Sequence, residues 1–347
     1  MYQIEILKHY LNFKQPASTS RGILIQKPTW FLMLKNTDTN NIGIGEVSLI
    51  PGLSVESEMD TENKLNEVAA QPEYFHKNAA KLLSHYPAVY FALEVAFADV
   101  HNGGKRLIFD NDFAKGNTAI PINGLIWMGD KKFMFNQIKD KLEQGFSCIK
   151  LKIGAIDFDQ EIDLLRYIRT QFNASEIELR VDANGAFSPE KALEKLQILS
   201  NFKLHSIEQP IQQGKIEEMA WLCEKTPLPI ALDEELIGIS EQRNKLKLLQ
   251  TIKPQYIVLK PSLVGGLASS DEWISIAEPE NVGWWATSAL ESNIGLNAIA
   301  QWIATKDTKM LQGLGTGGLF SNNIDSPLSV ENGYLYYNPK KGWGDLG

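Results

Sequence analysis

The sequence predicts an α/β protein in which an α+β unit precedes a parallel barrel. Three observations predict this fold class. Over about the first hundred residues, strand-like segments come first and helical segments follow. After Pro121, short apolar runs alternate with helical patterns. Polar side chains follow successive apolar runs at a nearly constant interval, as they would where parallel strands end at one face of a barrel.

The N-terminal unit is predicted to contain three strands followed by three helices. Residues that favour strands occupy 4–13, 23–34 and 42–47, with a polar turn at 36–41. Helical patterns follow at 58–70, 72–84 and 88–100. Gly103 and Gly104 end the last helix, because glycine tolerates the left-handed conformation of a C-cap. Strands and helices that are segregated in this way indicate an α+β unit.

The barrel is predicted from seven short apolar runs and a weaker eighth one. Two of the intervening helices are expected at 157–172 and 189–199, the second with Ser188 as N-cap and Pro189 in its first turn. We expect 1–115 to form a capping domain, 116–319 the barrel, and 320–347 a tail that returns to the capping domain. The strands are expected at 122–126, 148–153, 177–181, 205–207, 230–232, 256–259 and 282–286, with the weaker one near 309–311.

Composition excludes several classes of protein. The 347 residues include 34 basic and 42 acidic ones, and the net charge of −8 argues against nucleic acid or an anionic membrane as partner. The N-terminus lacks a signal-peptide pattern, and no apolar run approaches the roughly 20 residues that span a bilayer. Cys148 and Cys223 are too far apart for a Cys-x-x-Cys pair, so no disulfide scaffold or cysteine zinc site is expected. We expect a soluble, cytoplasmic protein.

Six successive predicted strands end in polar residues. Lys150 and Lys152 flank Leu151, so alternation along a strand places both lysines on one face. The later residues follow their strands at intervals of 25 to 30 residues, about one strand, one helix and two loops. Because the carboxyl ends of barrel strands carry the active site, these side chains are expected to face one volume. The residues after Lys152 are Asp182, Glu208, Asp233, Lys260 and Ser288.

The residue types in this set predict a metal-dependent proton-transfer site. A single charged residue at the end of a strand is usually a cap or a solvated group, but six residues in register are not explained in that way. The three carboxylates would repel one another unless a cation lay between them. An all-oxygen ligand set favours Mg²⁺ over zinc. A lysine near that cation and near a second lysine should have a lowered pKa and could act as a general base.

These motifs resemble the enolase superfamily, and within it the muconate-lactonizing subgroup. The resemblance covers nearly the whole chain and implies a (β/α)7β TIM-like barrel with an α+β capping domain. Within the subgroup the chain is most similar to the o-succinylbenzoate synthase family, through the segments 43–54, 264–267 and 288–292. Glu235 stands where many relatives have serine, so contacts around the metal are expected to differ. The motifs are Lys150-Leu151-Lys152, Asp182-Ala183-Asn184, Glu208-Gln209-Pro210, Asp233-Glu234-Glu235 and Lys260-Pro261.

The resemblance implies a dehydration in menaquinone biosynthesis. The expected substrate is 2-succinyl-6-hydroxy-2,4-cyclohexadiene-1-carboxylate, which would lose water through an enediolate to give 2-succinylbenzoate. Lys152 would be the base, with Lys150 lowering its pKa and Lys260 stabilising the anion as a cation. Such a carboxylate is the partner expected for this chain, and no oligomeric state is predicted. The ligands of Mg²⁺, or of Mn²⁺ as its substitute, would be Asp182, Glu208 and Asp233.

Further residues are expected to contact the substrate, each with a structural alternative. Asn184 could instead make a turn, Gly265 and Gly266 could make a turn, and Ser288 with Glu291 also fits a capping box. The segment 313–318 formally matches a dinucleotide motif, but no βαβ unit follows it, so we interpret it as a substrate-facing loop. Trp127 is expected to pack in the barrel wall. Segments near 14–22 and 50–55 are expected to close over the substrate, and Arg21 could pair with its carboxylate or simply be exposed.

Other activities on the same scaffold are alternatives. These are N-acylamino acid racemase, dipeptide epimerase and muconate cycloisomerase. Dipeptide epimerases carry an Asp-x-Asp at the end of the eighth strand, whereas residues 312–316 contain no acidic side chain. A Schiff-base aldolase using Lys260 would leave the three carboxylates unexplained. A non-catalytic binding protein is the remaining alternative, and it is disfavoured because the lysines and carboxylates are all present.

Overall fold

A computed structural model describes residues 1–19 and 22–346. The N-terminal sheet is antiparallel, in the order β1 (Tyr2–Thr19), β2 (Gly22–Asn36) and β3 (Ile42–Ser48). The first two strands are longer than predicted. Residues 14–19, expected in a loop, continue β1, while Arg21 lies outside the described residues and its suggested role is not addressed by the structure.

Four helices cover this sheet, and the longest contacts it most closely. The helices are α1 (Glu58–Ala70), α2 (Pro72–Lys77), α3 (Ala79–Leu82) and α4 (Pro87–His101), so the helix predicted at 72–84 is interrupted at Asn78. A Cβ atom at Gly43 or Gly45 would collide with the backbone of α4. The two glycines of β3 therefore allow the apolar helix to pack directly on the strand.

The second body is a curled sheet of seven parallel strands, in the order β11-β10-β9-β8-β7-β6-β5. Its elements match the predicted alternation closely, which confirms the fold class. The strands are β5 (Gly124–Ile126), β6 (Cys148–Lys152), β7 (Glu178–Asp182), β8 (Ser206–Glu208), β9 (Ile230–Leu232), β10 (Tyr256–Leu259) and β11 (Gly283–Ala286). The helices are α5 (Lys131–Glu143), α6 (Phe158–Gln171), α7 (Pro189–Ser200), α8 (Ile216–Lys225), α9 (Gln242–Ile252), α10 (Pro261–Val264), α11 (Gly266–Ala277) and α12 (Asn293–Ile303).

The eighth strand predicted near 309–311 is replaced by two single bridges. Gln312 bridges Ile122 before β5, and Gly313 bridges Thr287 after β11, so these two residues join the edges of the sheet. The Gln312 side chain reinforces the junction, since it accepts a hydrogen bond from the Ala286 N–H (2.8 Å) and donates one to the Met310 carbonyl (2.6 Å).

The C-terminal tail contacts both parts of the chain. Phe320 bridges Phe13 of β1, and the Ser321 N–H donates to the Asn12 carbonyl at 2.9 Å. Further on, β12 (Leu328–Glu331) and β13 (Tyr334–Tyr337) form a small antiparallel sheet with β4 (Ile120–Pro121). Among the described residues, no helix combines the length and the apolar character needed to cross a membrane.

Two carboxylates, the half-buried Glu94 and the buried Glu46, join the N-terminal unit to the barrel helices. Glu94 of α4 accepts hydrogen bonds from the Leu267 and Ala268 N–H groups in the first turn of α11, at 2.6 and 3.0 Å. Glu46 of β3 accepts hydrogen bonds at the start of α12, from the N–H groups of Ser292 (2.8 Å) and Gly295 (2.9 Å). Carboxylates satisfy the free N–H groups of a helix N-terminus and complement its dipole. These contacts fix the N-terminal unit over the carboxyl ends of the strands.

Glu56 is a buried carboxyl group whose ionisation is expected to destabilise the fold. Its Oε1 accepts a hydrogen bond from the Ala88 N–H at 2.8 Å, while its Oε2 is buried with no partner among the described residues. Burial raises the pKa of Glu56 to about 7. The protonated form is therefore favoured by the folded state, and its stabilising contribution is complete at low pH and lost as the pH rises through 7.

We expect Glu56→Gln to change the free energy of unfolding little at pH 5 and to increase it at pH 8. The increase should be up to about 3 kcal/mol, because one pKa unit corresponds to about 1.4 kcal/mol. Urea unfolding at both pH values measures this difference. The exposed Glu73→Gln is the matched control and should show no such pH dependence. An equal effect of Glu56→Gln at both pH values would contradict the prediction.

Candidate active site

The two lysines of β6 point into the barrel and contact the carboxylates of the next two strands. Lys152 Nζ lies 2.5 Å from Asp182 Oδ2 and 2.8 Å from Asn184 Oδ1. Lys150 Nζ lies 2.7 Å from Glu208 Oε2 and 3.2 Å from Asp182 Oδ2. The alternation of the strand thus places both ammonium groups on one face, as the sequence predicts.

The set is completed on the opposite side of the barrel. Asp233 follows β9, and Lys260, which follows β10, donates a hydrogen bond to Asp233 Oδ2. All three carboxylates are at most 2% exposed, and the three lysines at most 8%. The structure therefore brings together the lysines and carboxylates that the strand-end interval predicts, in a buried cluster of alternating charge: Lys150, Lys152, Asp182, Glu208, Asp233 and Lys260.

The neighbours of the two β6 lysines separate their pKa values. Burial by itself lowers the pKa of each lysine. For Lys150, the attraction of Glu208 and Asp182 outweighs burial and raises the pKa above its usual value. For Lys152, burial dominates the attraction of Asp182, and the positive charge of Lys150 adds to it, so the pKa is lowered. Lys152 is therefore the lysine of β6 better suited to accept a proton.

The carboxylates fit a hard divalent cation by their chemistry. Glu208 Oε1 is buried and has no hydrogen-bond partner among the described residues, which leaves one oxygen of the cluster available. Burial and the nearby Asp182 raise the pKa of Glu208 to about 8, because together they outweigh the attraction of Lys150, which lowers it. In the described part of the chain, no three His, Cys, Asp or Glu side chains are already arranged to hold a metal ion. At this site the ammonium group of Lys150 lies between the carboxylates of Asp182 and Glu208. A cation would replace some of those ammonium contacts.

A cavity of about 160 Å³ lies beside the lysines and has three kinds of wall. The side formed by β6 and β10 is charged, with Lys150, Lys152 and Lys260. The side formed by the segments after β11 and at the barrel closure is polar but uncharged. The N-terminal unit contributes an apolar cover, which includes the segment near 50–55 that is expected to close over the site. The uncharged side contains Asn123, Thr287, Ser288, Gly313, Gly315 and Thr316, and the cover contains Ile23, Leu24, Ile50, Pro51 and Leu53.

Three residues expected to contact the substrate lie away from this cavity. A Cβ atom at Gly266 would meet Glu94 Oε2, so the carboxylate that this backbone approaches is the protein's own. Gly265, at a φ of 99°, makes the left-handed turn between α10 and α11. Glu291 is fully buried, and it accepts a hydrogen bond from the Ser262 hydroxyl. From the sequence alone these three residues could not be told apart from residues that contact the substrate. The sequence around them does not show how the N-terminal unit packs.

Asn184 and Ser288 are distinguished by the structure. Asn184 bonds Lys152 through Oδ1 and donates from Nδ2 to Glu234 Oε1 at 3.0 Å, so it orients the lysine and does not line the cavity among the described residues. Ser288 does line the cavity. The capping box proposed for Ser288 is wrong, since α12 begins at Asn293 and its N-cap is Ser292, whose hydroxyl accepts from the Ile294 N–H. Ser288 instead bonds the Thr316 hydroxyl at 2.6 Å.

Sequence reasoning missed the role of Gln209. Gln209 adopts a left-handed backbone conformation directly after Glu208, and its Oε1 accepts hydrogen bonds from the N–H groups of Asp233 (3.2 Å) and Glu235 (3.4 Å). It therefore ties the ends of β8 and β9 together and positions Asp233. The position of Gln209 directly after Glu208, a carboxylate at the end of a strand, was the feature of the sequence that could have indicated this role. Trp127, expected in the wall, borders the cavity.

The fold and the site together define a barrel enzyme with a buried lysine–carboxylate centre at the carboxyl ends of its strands. Comparison with known proteins gives the family. Residues 134–345 match the family model described as enolase C-terminal domain-like. The o-succinylbenzoate synthase of Desulfotalea psychrophila is 48% identical, with 94% of this chain and 96% of that protein aligned.

Solved structures agree with this assignment. The crystal structure of MenC from Desulfotalea psychrophila has a TM-score of 0.86 at 43% identity, covering 96% of this chain and 99% of that one. A muconate lactonizing enzyme from Pseudomonas fluorescens shares the fold, with a TM-score of 0.85 at 22% identity over 99% and 94% of the two chains. The chain belongs to the enolase superfamily, which confirms the resemblance drawn from its motifs.

Proposed function

We propose that this enzyme is an o-succinylbenzoate synthase that dehydrates 2-succinyl-6-hydroxy-2,4-cyclohexadiene-1-carboxylate to 2-succinylbenzoate. The observation that carries the proposal is the 48% identity to a synthase along almost the full length of both chains. The buried lysine–carboxylate cluster supports it, because the reaction begins with removal of a weakly acidic C–H proton. The activity would serve menaquinone biosynthesis in the cytoplasm.

Asp182, Glu208 and Asp233 would hold the divalent cation, Mg²⁺ or Mn²⁺. Their side chains are buried, all three carboxylates are hard ligands, and no described residue donates a hydrogen bond to Glu208 Oε1. When bound, the cation supplies positive charge beside the substrate carboxylate, which favours the charge distribution that follows proton removal. The three lysines would then be released from part of their carboxylate contacts and face the substrate.

Lys152 would act as both base and acid on one face of the ring. Its neutral amine takes the ring proton adjacent to the carboxylate, the electron pair moves toward that carboxylate, and the C–O bond at position 6 then breaks. The resulting ammonium group returns its proton to the departing hydroxide, so that water leaves and the ring becomes aromatic. Lys150 keeps the pKa of Lys152 low, and Lys260 stabilises the developing negative charge from the other side of the cavity.

The capping domain is proposed to comprise residues 1–115 together with the tail 320–347. Residues 116–319 are proposed to form the barrel. Contacts of Phe320 and Ser321 with β1 support this division, while the pairing of β13 with β4 shows that the tail also contacts the barrel side. With this arrangement the uncharged side of the cavity would receive the succinyl arm of the substrate. Among the residues predicted from the sequence to contact the substrate, Ser288 lines this side of the cavity.

Racemisation of an N-acylamino acid is a second candidate activity. Lys152 and Lys260 both line the cavity, on strands separated by β7, β8 and β9, as a reaction with two proton-transfer residues requires. Exchange of solvent deuterium into N-acylamino acids would measure it. Dehydration and racemisation can coexist in one site, because both begin with the same proton removal.

The proposed dehydration is tested by following loss of the cyclohexadiene absorbance of the substrate. We expect rapid loss with Mg²⁺ and almost none after treatment with EDTA, because the three buried carboxylates need a cation to bind the substrate carboxylate. Restoring Mg²⁺ should restore the rate. A folded, Mg²⁺-supplemented enzyme that leaves the absorbance unchanged would overturn the synthase assignment but not membership of the superfamily.

A further inference from the structure

Asn123 is a buried amide on the uncharged side of the cavity whose side chain is not used by the fold. The residue is 4% exposed, and its Oδ1 is buried and has no hydrogen-bond partner in the part of the chain that the structure describes. No side-chain hydrogen bond of Asn123 to another described residue is observed, although its backbone N–H donates to the Gln312 carbonyl at 3.0 Å. A buried amide left unsatisfied costs about 1–3 kcal/mol, so such a group is normally satisfied by something that binds there.

The other polar side chains of this wall already have partners within the protein. Thr287 donates to the Gly313 carbonyl at 2.8 Å, and the hydroxyls of Ser288 and Thr316 bond each other at 2.6 Å. Asn123 is therefore the described side chain on this wall that can offer a full set of hydrogen bonds to a ligand. Its terminal amide carries two N–H donors and a carbonyl acceptor. A half-turn about χ2 exchanges Nδ2 and Oδ1, so an N–H donor can take the position of the unpaired Oδ1 when the ligand offers an acceptor.

The proposed reaction fixes which part of the substrate meets this wall. The ring carboxylate and the reacting C–H must lie at the charged side of the cavity, which is formed by Lys150, Lys152 and Lys260. The three carboxylates that contact these lysines lie behind them. The succinyl arm is then left for the uncharged side. The ketone is the neutral oxygen of that arm, whereas its terminal carboxylate would need a cation to be buried at low cost.

We propose that the side-chain amide of Asn123 donates a hydrogen bond to the ketone oxygen of the succinyl arm, which makes Asn123 a specificity-determining residue. This inference rests on the proposed function. It predicts that the enzyme distinguishes substrates and products that carry an oxygen next to the ring from those that carry a methylene group there.

The test is a double-mutant cycle between residue and ligand, measured by calorimetry on the Mg²⁺-supplemented enzyme. The probes are 2-succinylbenzoate and 4-(2-carboxyphenyl)butanoate, in which a CH₂ group replaces the ketone. We expect the wild-type enzyme to bind the ketone about tenfold more tightly, the effect of roughly one hydrogen bond. Asn123→Leu, which has a similar shape, should bind both probes equally.

Thermal unfolding provides the structural control. Asn123→Leu should leave Tm unchanged or raise it, because it removes an unpaired polar group. Gln312→Leu is the matched variant on the adjoining segment. It should lower Tm by a few °C, since its amide is bonded at both ends to backbone groups that would be left unpaired.

Three outcomes would overturn the inference. The first is a preference for the ketone that persists in Asn123→Leu, and the second is the absence of that preference in the wild type. The third is a Tm loss in Asn123→Leu as large as that of Gln312→Leu, which would show that the amide has a structural partner. Failure of the proposed function is a separate result, seen as lack of dehydration by the wild-type enzyme.

Discussion

Lys152→Ala is expected to abolish the Mg²⁺-dependent loss of the substrate's absorbance, with kcat reduced by at least about 10³-fold. The variant lacks the one lysine of β6 whose pKa is lowered, and Lys150 cannot replace it because Glu208 and Asp182 hold that side chain in its charged form. Positioned acids and bases contribute about 10² to 10⁴ in rate, and here one group would serve in both roles. Single-turnover absorbance measurements with excess enzyme would measure the residual rate.

The fold should survive this substitution. Asp182 keeps its contact with Lys150 at 3.2 Å, so the buried carboxylate is not left without a cation. Exposed Lys132→Ala, on α5, is the matched control and should retain the full rate. If folded Lys152→Ala dehydrated the substrate within tenfold of the wild-type rate, the assignment of the base would be wrong, and Lys260 would be the next residue to examine.

Glu208→Gln is expected to remove both the activity and the response of the protein to Mg²⁺. The amide removes one negative charge from a ligand set of three and replaces a hard oxygen by a weaker ligand. For the wild type, saturating Mg²⁺ should raise Tm, since a ligand at a hundred times its Kd stabilises the folded state by about 2.7 kcal/mol. The variant should show little or no such shift in a thermal melt with and without the ion.

The metal-free variant should fold as well as the wild type does. Burial and Asp182 raise the pKa of Glu208 and so favour its uncharged form when no metal is bound, and glutamine has nearly the same shape as that form. Glu217→Gln, exposed on the following helix, is the control and should keep the full Mg²⁺ response. A Tm shift in Glu208→Gln equal to that of the wild type would remove this residue from the ligand set.

The sequence by itself determined the order of the elements and the chemical character of the site. Strand alternation placed Lys150 and Lys152 on one face, and the strand-to-strand interval brought Asp182, Glu208 and Asp233 to the same end of the barrel. Both signals are local or nearly so, because side-chain direction depends on strand period and the interval on one strand–helix unit. The fold class and the chemistry of the site could therefore be predicted before any contact was known, while the superfamily followed from the resemblance of the motifs.

Only the tertiary structure decided which polar residues serve the site and which serve the packing. Glu94, from the N-terminal unit, accepts a hydrogen bond from the Leu267 N–H, next to Gly266. Glu291 accepts a hydrogen bond from the Ser262 hydroxyl and does not line the cavity among the described residues. Gln209 positions Asp233, whereas Asn123 Oδ1, on the cavity wall, has no hydrogen-bond partner within the described ranges. These outcomes depend on contacts between segments far apart in the chain, and no periodicity within a segment records whether a polar group will find its partner in the protein or must take it from a ligand.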